Sequence, residues 1–169
     1  FDTSIDFAST TGAFIGGTGD YVSVFEPTAS ALEKQDAGYI VASIGELGGV
    51  VPYTAYNARK SYIEENEDVI KGFTKAIDKA LVYVKEHSSS EVAEKIASYF
   101  SDTSIDDIAA IVERYKNIDA WFKTTEISES DFKHVQDIVK NAGELDKDAP
   151  YNKLVNNKYS KRLHRLDIK

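Results

Sequence analysis

The chain has 169 residues, 42% of them apolar and 11% aromatic, which is enough to bury a core and excludes an intrinsically disordered protein. The net charge of −8 argues against a general nucleic-acid-binding protein, because such a protein needs a basic surface to contact phosphates. The absence of cysteine excludes disulfides and thiolate metal ligands, and no run of about 18 apolar residues is present to span a membrane.

Short strands alternating with a helix are predicted at the start of the chain. Residues 4–9, 20–25 and 39–42 are rich in β-branched or aromatic side chains and are bounded by turn residues, which is typical of strands. Residues 11–15 fit a brief helix or turn, and residues 27–35 fit a helix that begins with proline. This alternation predicts a parallel or mixed sheet, and therefore an α/β fold.

The pattern changes at the glycine-rich segment Gly45–Gly49. Residues 50–56 look extended, and the remainder of the chain is predicted to be helical because apolar residues recur at helical spacing. Ser128 with Asp131 has the spacing of a helix-start cap, and Gly143 suits the left-handed residue after a helix. Four helices are predicted, over residues 67–86, 88–100, 105–115 and 128–142.

Glu26 is the first candidate for a binding residue. It follows the predicted strand 20–25, and ligands of open α/β sheets bind outside the carboxyl ends of strands. The alternative is that its carboxylate is a structural hydrogen-bond acceptor at the start of the next helix. Tyr53 and Thr54 are further candidates, because they lie in an extended segment directly after the glycine break, where a chain could cross between lobes.

Catalytic and metal-binding motifs are not found in the sequence. His87, His134 and His164 have no partner at metal-ligand spacing, and the cluster Gly12–Gly19 lacks the Lys-Ser/Thr ending of a P-loop. Trp121 is interpreted as a residue that packs between helices rather than as a stacking platform for a ligand. We expect neither catalysis nor a cofactor.

The segments together resemble the solute-binding proteins of ABC transporters in the nitrate/sulfonate/taurine and thiamin-precursor group. The resemblance runs from about residue 4 to residue 157. The residues that carry it are Gly12-Ala13-Phe14, Gly17 to Val22, Phe25-Glu26-Pro27, Tyr39 to Ser43, Pro52-Tyr53-Thr54, Tyr62 to Asn66, Arg114-Tyr115, Trp121 and Ala142 to Leu145.

The resemblance implies part of a two-lobed, type II periplasmic-binding-protein-like α/β fold with a mostly helical carboxy-terminal half. Residues 1–45 would end the second α/β lobe, residues 46–56 would cross the hinge, and residues 57–157 would complete the first lobe with helices. Residues 158–169 would be a basic tail, with five Lys or Arg against one Asp. The chain is then expected to be the carboxy-terminal portion of a protein about twice as long.

The resemblance also implies a function: capture of a small solute by hinge closure and its delivery to a permease. Thr10, Thr11 and Thr54, with backbone amides near Gly12, would bind the polar edge of the solute, and Tyr53 would pack on its face. Glu26 would accept hydrogen bonds from the solute, and its charge favours a thiamin-precursor pyrimidine or similar nitrogenous solute over nitrate, sulfonate or taurine. The expected partners are the solute, the permease and the missing amino-terminal half, with no nucleic acid.

The resemblance places the protein outside the cytoplasm, as an extracytoplasmic and lipid-anchored protein. Two alternatives remain open. The helical part, residues 66–157, could be an interaction module that docks a partner. Less favoured is an enzyme similar to fungal pyrimidine synthases, whose cysteine-rich motif has no counterpart in this sequence.

Overall fold

A computed structural model describes residues 2–160, and within that range the regular secondary structure is helical. Two single turns of 3₁₀ helix, Phe7–Ser9 and Ala97–Tyr99, accompany the α-helices. The α-helices are α1 (Thr10–Ile15), α2 (Thr28–Lys34), α3 (Ile44–Leu47), α4 (Lys60–Glu65), α5 (Glu67–Glu86), α6 (Ser89–Ile96), α7 (Ile105–Asn117), α8 (Glu129–Asn141) and α9 (Tyr151–Leu154).

The predicted α/β fold class is wrong, because no residue from 2 to 160 lies in a β-strand. The predicted strand 4–9 ends in 3₁₀ helix, residues 20–25 are irregular with a bend at Asp20, and residues 39–42 are irregular throughout. A β-branched or aromatic composition indicates a fit to a half-buried sheet surface, and a strand forms only against a second strand. Here Tyr21 and Tyr39 are 82% and 81% exposed, so the periplasmic-binding-protein-like α/β architecture is not what these residues form.

The helices predicted after the glycine break are confirmed. Helix α5 spans the predicted residues, with Glu67 and Asp68 in its first turn, where the positive end of the helix dipole favours acids. The cap predicted before α8 is also confirmed, since the Ser128 side chain accepts a hydrogen bond from the Asp131 N–H at 3.0 Å. Gly143 follows α8 with a φ of 79°, a left-handed conformation that favours glycine.

The chain divides into two compact units. Among the described residues, one unit contains residues 2–43 together with Ser89–Arg114, and the other contains Ile44–Ser88 together with residues 115–160. The predicted lobe and hinge boundaries stay a prediction.

The first unit has a small apolar core on three helices. The buried side chains of α2, α6 and α7 are Leu32, Val92, Ala93, Ile108 and Val112. Helices α2 and α7 are also joined by charge, because Lys34 forms an ion pair with Asp107. The first unit is therefore held by a few buried apolar residues and by ion pairs between α2 and α7.

In the second unit, polar contacts connect segments that are distant in sequence. The Asn157 side chain donates to the Ile127 carbonyl at 2.8 Å and accepts from the Ile127 N–H at 3.1 Å. The Tyr151 hydroxyl donates to the same carbonyl at 2.7 Å. These bonds satisfy the backbone of an irregular segment that would otherwise be costly to bury in part.

None of the described helices combines the length and the apolar character that crossing a lipid bilayer requires. The predicted basic tail lies mostly outside the described residues. Of its cations the structure describes Lys158, which pairs with Glu67 at 3.0 Å.

Candidate functional site

A cavity of about 180 Å³ opens on the first unit. One wall comes from the 3₁₀ turn and the start of α1, and the other comes from the segment that leads into α2. The lining residues are Phe7, Ala8, Thr10, Thr11, Val24, Phe25 and Thr28. The cavity is therefore formed by two short stretches of chain, residues 7–11 and 24–28.

The two walls meet through an aromatic contact. The ring centroids of Phe7 and Phe25 lie 5.6 Å apart with 55° between the ring planes, a tilted geometry that aromatic pairs favour. Both rings remain more than half exposed, Phe7 at 61% and Phe25 at 52%. Apolar ring surface is thus available to a bound molecule at this site.

Three of the lining residues are threonines, each of which carries a hydroxyl group. The Thr10 hydroxyl donates to the Phe7 carbonyl at 2.8 Å, which fixes its direction within the first turn. The hydroxyls of Thr11 and Thr28 have no hydrogen-bond partner among residues 2–160. Because a hydroxyl can both donate and accept, these two groups can bind a polar edge of a small molecule.

Two of the predicted site residues, Thr10 and Thr11, are brought together in this cavity. Gly12 is next in the chain but is not among the lining residues, and a side chain there would meet no atom within 4 Å. Tyr53 and Thr54 belong to the second unit and do not line the cavity; Tyr53 is 74% exposed. Their predicted contacts with a solute stay predictions.

Glu26 has the geometry of the structural alternative. Its side chain is 6% exposed, and its carboxylate accepts from the Ser30 N–H at 3.0 Å and from the Ser30 hydroxyl at 3.1 Å. Arg114 completes its environment with an ion pair. The carboxylate therefore satisfies an N–H in the first turn of α2, which has no carbonyl partner within the helix. A contact of Glu26 with a solute stays a prediction.

Arg114 also reaches the far end of α2. Its Nη2 atom lies 3.3 Å from Glu33 Oε2, while the other Glu33 oxygen accepts from the Ile40 N–H at 3.0 Å. One guanidinium thus bridges two carboxylates, which its fixed fork of donors suits. No local sequence signal indicates this role, because Arg114 lies 88 residues beyond Glu26.

Sequence reasoning also missed the cavity residues Phe7, Val24, Phe25 and Thr28. Phe7, Val24 and Phe25 fall in predicted strands, where alternate side chains would face a sheet partner. The sequence feature that could have indicated this wall is Thr28, which directly follows Pro27. A hydroxyl-bearing residue at the start of a helix often places its polar group at the protein surface. The sequence therefore indicates the second wall of the cavity only through Glu26, which pairs with Arg114 and is not itself a lining residue.

No group of three or more His, Cys, Asp or Glu side chains that could hold a metal occurs within residues 2–160. His87 stacks on Tyr83, with ring centroids 3.7 Å apart, and its Nδ1 bonds the Tyr83 carbonyl at 3.0 Å. The Nε2 atom of His134 donates to the Gly48 carbonyl at 2.8 Å. His164 lies outside the described residues.

Ion pairs on the surface shift the titration of several carboxylates. A hydrogen bond from Lys34, and secondarily one from Ser104, lowers the pKa of Asp107. Hydrogen bonds from Lys158 and then Lys71 lower the pKa of Glu67. These groups lie outside the cavity, whose lining residues carry no charge.

The chain is similar to a protein of Bacillus subtilis (strain 168) named "Putative binding protein YtlA". The two are 43% identical over 160 residues, which are 95% of this chain and 48% of the relative. The chain spans about half the length of this curated relative. No family model matches the chain, and no solved structure matches it. The comparison therefore gives a relative named as a binding protein, and among the described residues the cavity of the first unit has groups suited to binding.

Proposed function

We propose that this chain is part of the solute-binding component of an ABC importer, and that the cavity of the first unit contacts the solute. The similarity to a protein named as a binding protein supports the general activity. The resemblance of the motifs to importer binding proteins supports the transport role. The observation that carries the proposal is the cavity itself, with two unpartnered hydroxyls beside two exposed aromatic rings.

The size and chemistry of the cavity favour a small neutral heterocycle. An apolar cavity of roughly 150 Å³ holds a benzene molecule, so about 180 Å³ suits a single substituted six-membered ring. Such a ring can pack on Phe7 and Phe25 while its nitrogen atoms or substituents bond Thr11 and Thr28. A thiamin-precursor pyrimidine has this combination of a flat face and polar edges.

The lining residues, rather than Glu26, decide which charge on the solute the cavity favours. The Glu26 carboxylate is already paired with Arg114, so it gives no reason to reject an anion. The lining residues offer no cation to compensate nitrate or a sulfonate. Because an unpaired charge is costly to desolvate, a neutral nitrogenous solute is favoured over nitrate, sulfonate and taurine.

The remaining parts of the role are proposed with it. The protein would capture the solute by hinge closure outside the cytoplasm, pass it to a permease and carry out no chemical step. Lipid anchoring would keep it near the permease. The other half of YtlA's length would supply further contacts to the solute.

The test is calorimetric titration of the 169-residue chain and, in parallel, of full-length YtlA. The probes are a hydroxymethylpyrimidine, riboflavin, taurine and nitrate. We expect saturable binding of the pyrimidine by YtlA, and weaker binding of the same probe by the chain. Binding of only taurine or nitrate would contradict the solute class, and binding of none of the four by either protein would contradict the proposed function.

A second function is favoured by one observation on α5. This helix of 20 residues carries no fully buried side chain, and it exposes Val69, Phe73 and Val82 by 55%, 44% and 48%. Apolar surface of this kind is typical of interaction sites, as expected of a helical docking module. Size-exclusion chromatography separates the two functions: a stable monomer that binds no solute favours the module, while self-association relieved by the rest of YtlA favours the importer component.

A further inference from the structure

We infer that Arg114 is a positioning residue for the cavity: by bridging Glu26 and Glu33, it fixes the wall formed by residues 24–28. The inference rests on the proposed function for its meaning in binding, but its structural part can be tested without any ligand. Arg114 itself is not among the lining residues, so it acts through the segment it holds.

Glu26 lies in the chain between residues that line the cavity. Val24, Phe25 and Thr28 line the cavity on either side of it in the chain, while Glu26 is not among the lining residues and its side chain, paired with Arg114, is 6% exposed. Any displacement of this buried group moves its neighbours, because they are joined to it through at most two residues. The direction of the Phe25 ring and of the Thr28 hydroxyl therefore depends on what holds Glu26.

Two residues, Ser30 and Arg114, hold the Glu26 side chain. Ser30 provides two hydrogen bonds, but it lies in the first turn of α2 and so moves with the wall. Among the described partners of Glu26, Arg114 is the one that comes from another part of the chain, on α7. Its ion pair ties the wall to the helix that carries the buried residues Ile108 and Val112.

The second carboxylate strengthens the restraint. Arg114 contacts Glu33 at 3.3 Å near the end of α2 as well as Glu26 just before its start, so both ends of this short helix are held. A helix held at both ends cannot pivot about either one. Thr28, in the first turn of α2, keeps its direction toward the cavity as a result.

Two variants test the inference against a matched control. Arg114→Lys keeps the charge but cannot bond both carboxylates in the same fork geometry. The double variant Glu26→Gln with Arg114→Met removes both charges, so that no buried charge is left unpaired. The control is Lys34→Met, which breaks another ion pair between α2 and α7 but leaves both contacts of Arg114, with Glu26 and with Glu33, in place.

The structural readout is the nuclear Overhauser effect between the ring protons of Phe7 and Phe25, measured on the 169-residue chain. We expect this signal to be lost in the double variant, weakened in Arg114→Lys and unchanged in Lys34→Met. Urea titration of each variant shows which of them are folded. An unchanged ring signal in a folded double variant overturns the inference, and so does loss of the signal in Lys34→Met.

The functional readout is titration with the hydroxymethylpyrimidine. We expect roughly tenfold weaker binding in the double variant, a smaller loss in Arg114→Lys and no change in Lys34→Met. If the ring signal responds as stated while no protein binds the probe, the positioning of the wall stands and the proposed function fails. Equal affinity in all the variants overturns the role of Arg114 in binding.

Discussion

The aromatic rings of Phe7 and Phe25 join two stretches of chain that the sequence predicts as separate strands, with their centroids 5.6 Å apart. Both rings line the cavity and keep more than half of their surface exposed. Phe7→Ala removes this surface and one side of the pair. Because aromatic contacts contribute about 0.5–1.5 kcal/mol beyond their buried area, we expect roughly tenfold weaker binding of the hydroxymethylpyrimidine, measured by calorimetry. Phe100→Ala, which removes a ring of 42% exposure outside the cavity, is the control; equal losses in the two variants would contradict the site.

The Thr11 hydroxyl provides a second test of the cavity, because it has no partner among the described residues. Thr11→Val keeps the shape of the side chain and removes the hydroxyl. We expect the midpoint of urea unfolding to stay the same, since no internal hydrogen bond is lost, and binding of the pyrimidine to weaken by about 0.5–1.5 kcal/mol. Thr18→Val, at an exposed threonine outside the cavity, should change neither quantity. A loss of stability without a loss of affinity in Thr11→Val would show that the hydroxyl is structural.

The helices were predictable because their signals are local. The periodicity of α5 and the Ser128 cap of α8 lie within a few residues of the ends they define. The extended segments were not predictable in this way, because strand structure depends on a second strand. Tyr39 and Val41 look like residues of a buried strand, yet they are 81% and 73% exposed. The composition of these segments suits a half-buried sheet surface, but residues 2–160 contain no strand with which they could pair.

The part of the candidate site that lies within one short segment could be predicted, and the part that depends on distant residues could not. Thr10 and Thr11 lie in one short segment, and both line the cavity from a single turn. The environment of Glu26 depends on Arg114, whose place is set by the packing of α7 and not by any motif near Glu26. Residues that act through a contact 88 positions away leave no local pattern in the sequence.

Alanine substitutions at Gly143 and Gly72 test how backbone conformation affects stability where a side chain has free space. A Cβ at either position would meet no atom within 4 Å, but Gly143 has a φ of 79° and Gly72 lies inside α5. We expect Gly143→Ala to lower the free energy of unfolding by about 1 kcal/mol, because the left-handed conformation is unfavourable for alanine. Gly72→Ala should raise it by about 0.5–1 kcal/mol, because alanine is the better helix former. Urea unfolding of both variants checks the pair, and two changes of the same sign would contradict the assigned conformations.

The ion pair between Lys34 and Asp107 predicts a pH dependence of stability. The hydrogen bond from Lys34 holds the pKa of Asp107 below its usual value of about 3.9. A carboxyl group whose pKa is lower in the folded state contributes stability above the unfolded pKa and loses that contribution as pH falls through the folded pKa. The window for the change therefore lies below about pH 4.

A double-mutant cycle measures this contribution separately from the other acids of the chain. The cycle combines Asp107→Asn and Lys34→Met, and urea unfolding gives the coupling free energy at each pH. We expect a favourable coupling near neutral pH that disappears on acidification below the pKa of Asp107, and that is reduced by added salt because Lys34 is 61% exposed. Asp106→Asn, one residue earlier on α7, should show no coupling to Lys34→Met. A coupling that persists in acid would mean that the two side chains interact through packing and not through charge, because protonated Asp107 carries no charge to attract Lys34.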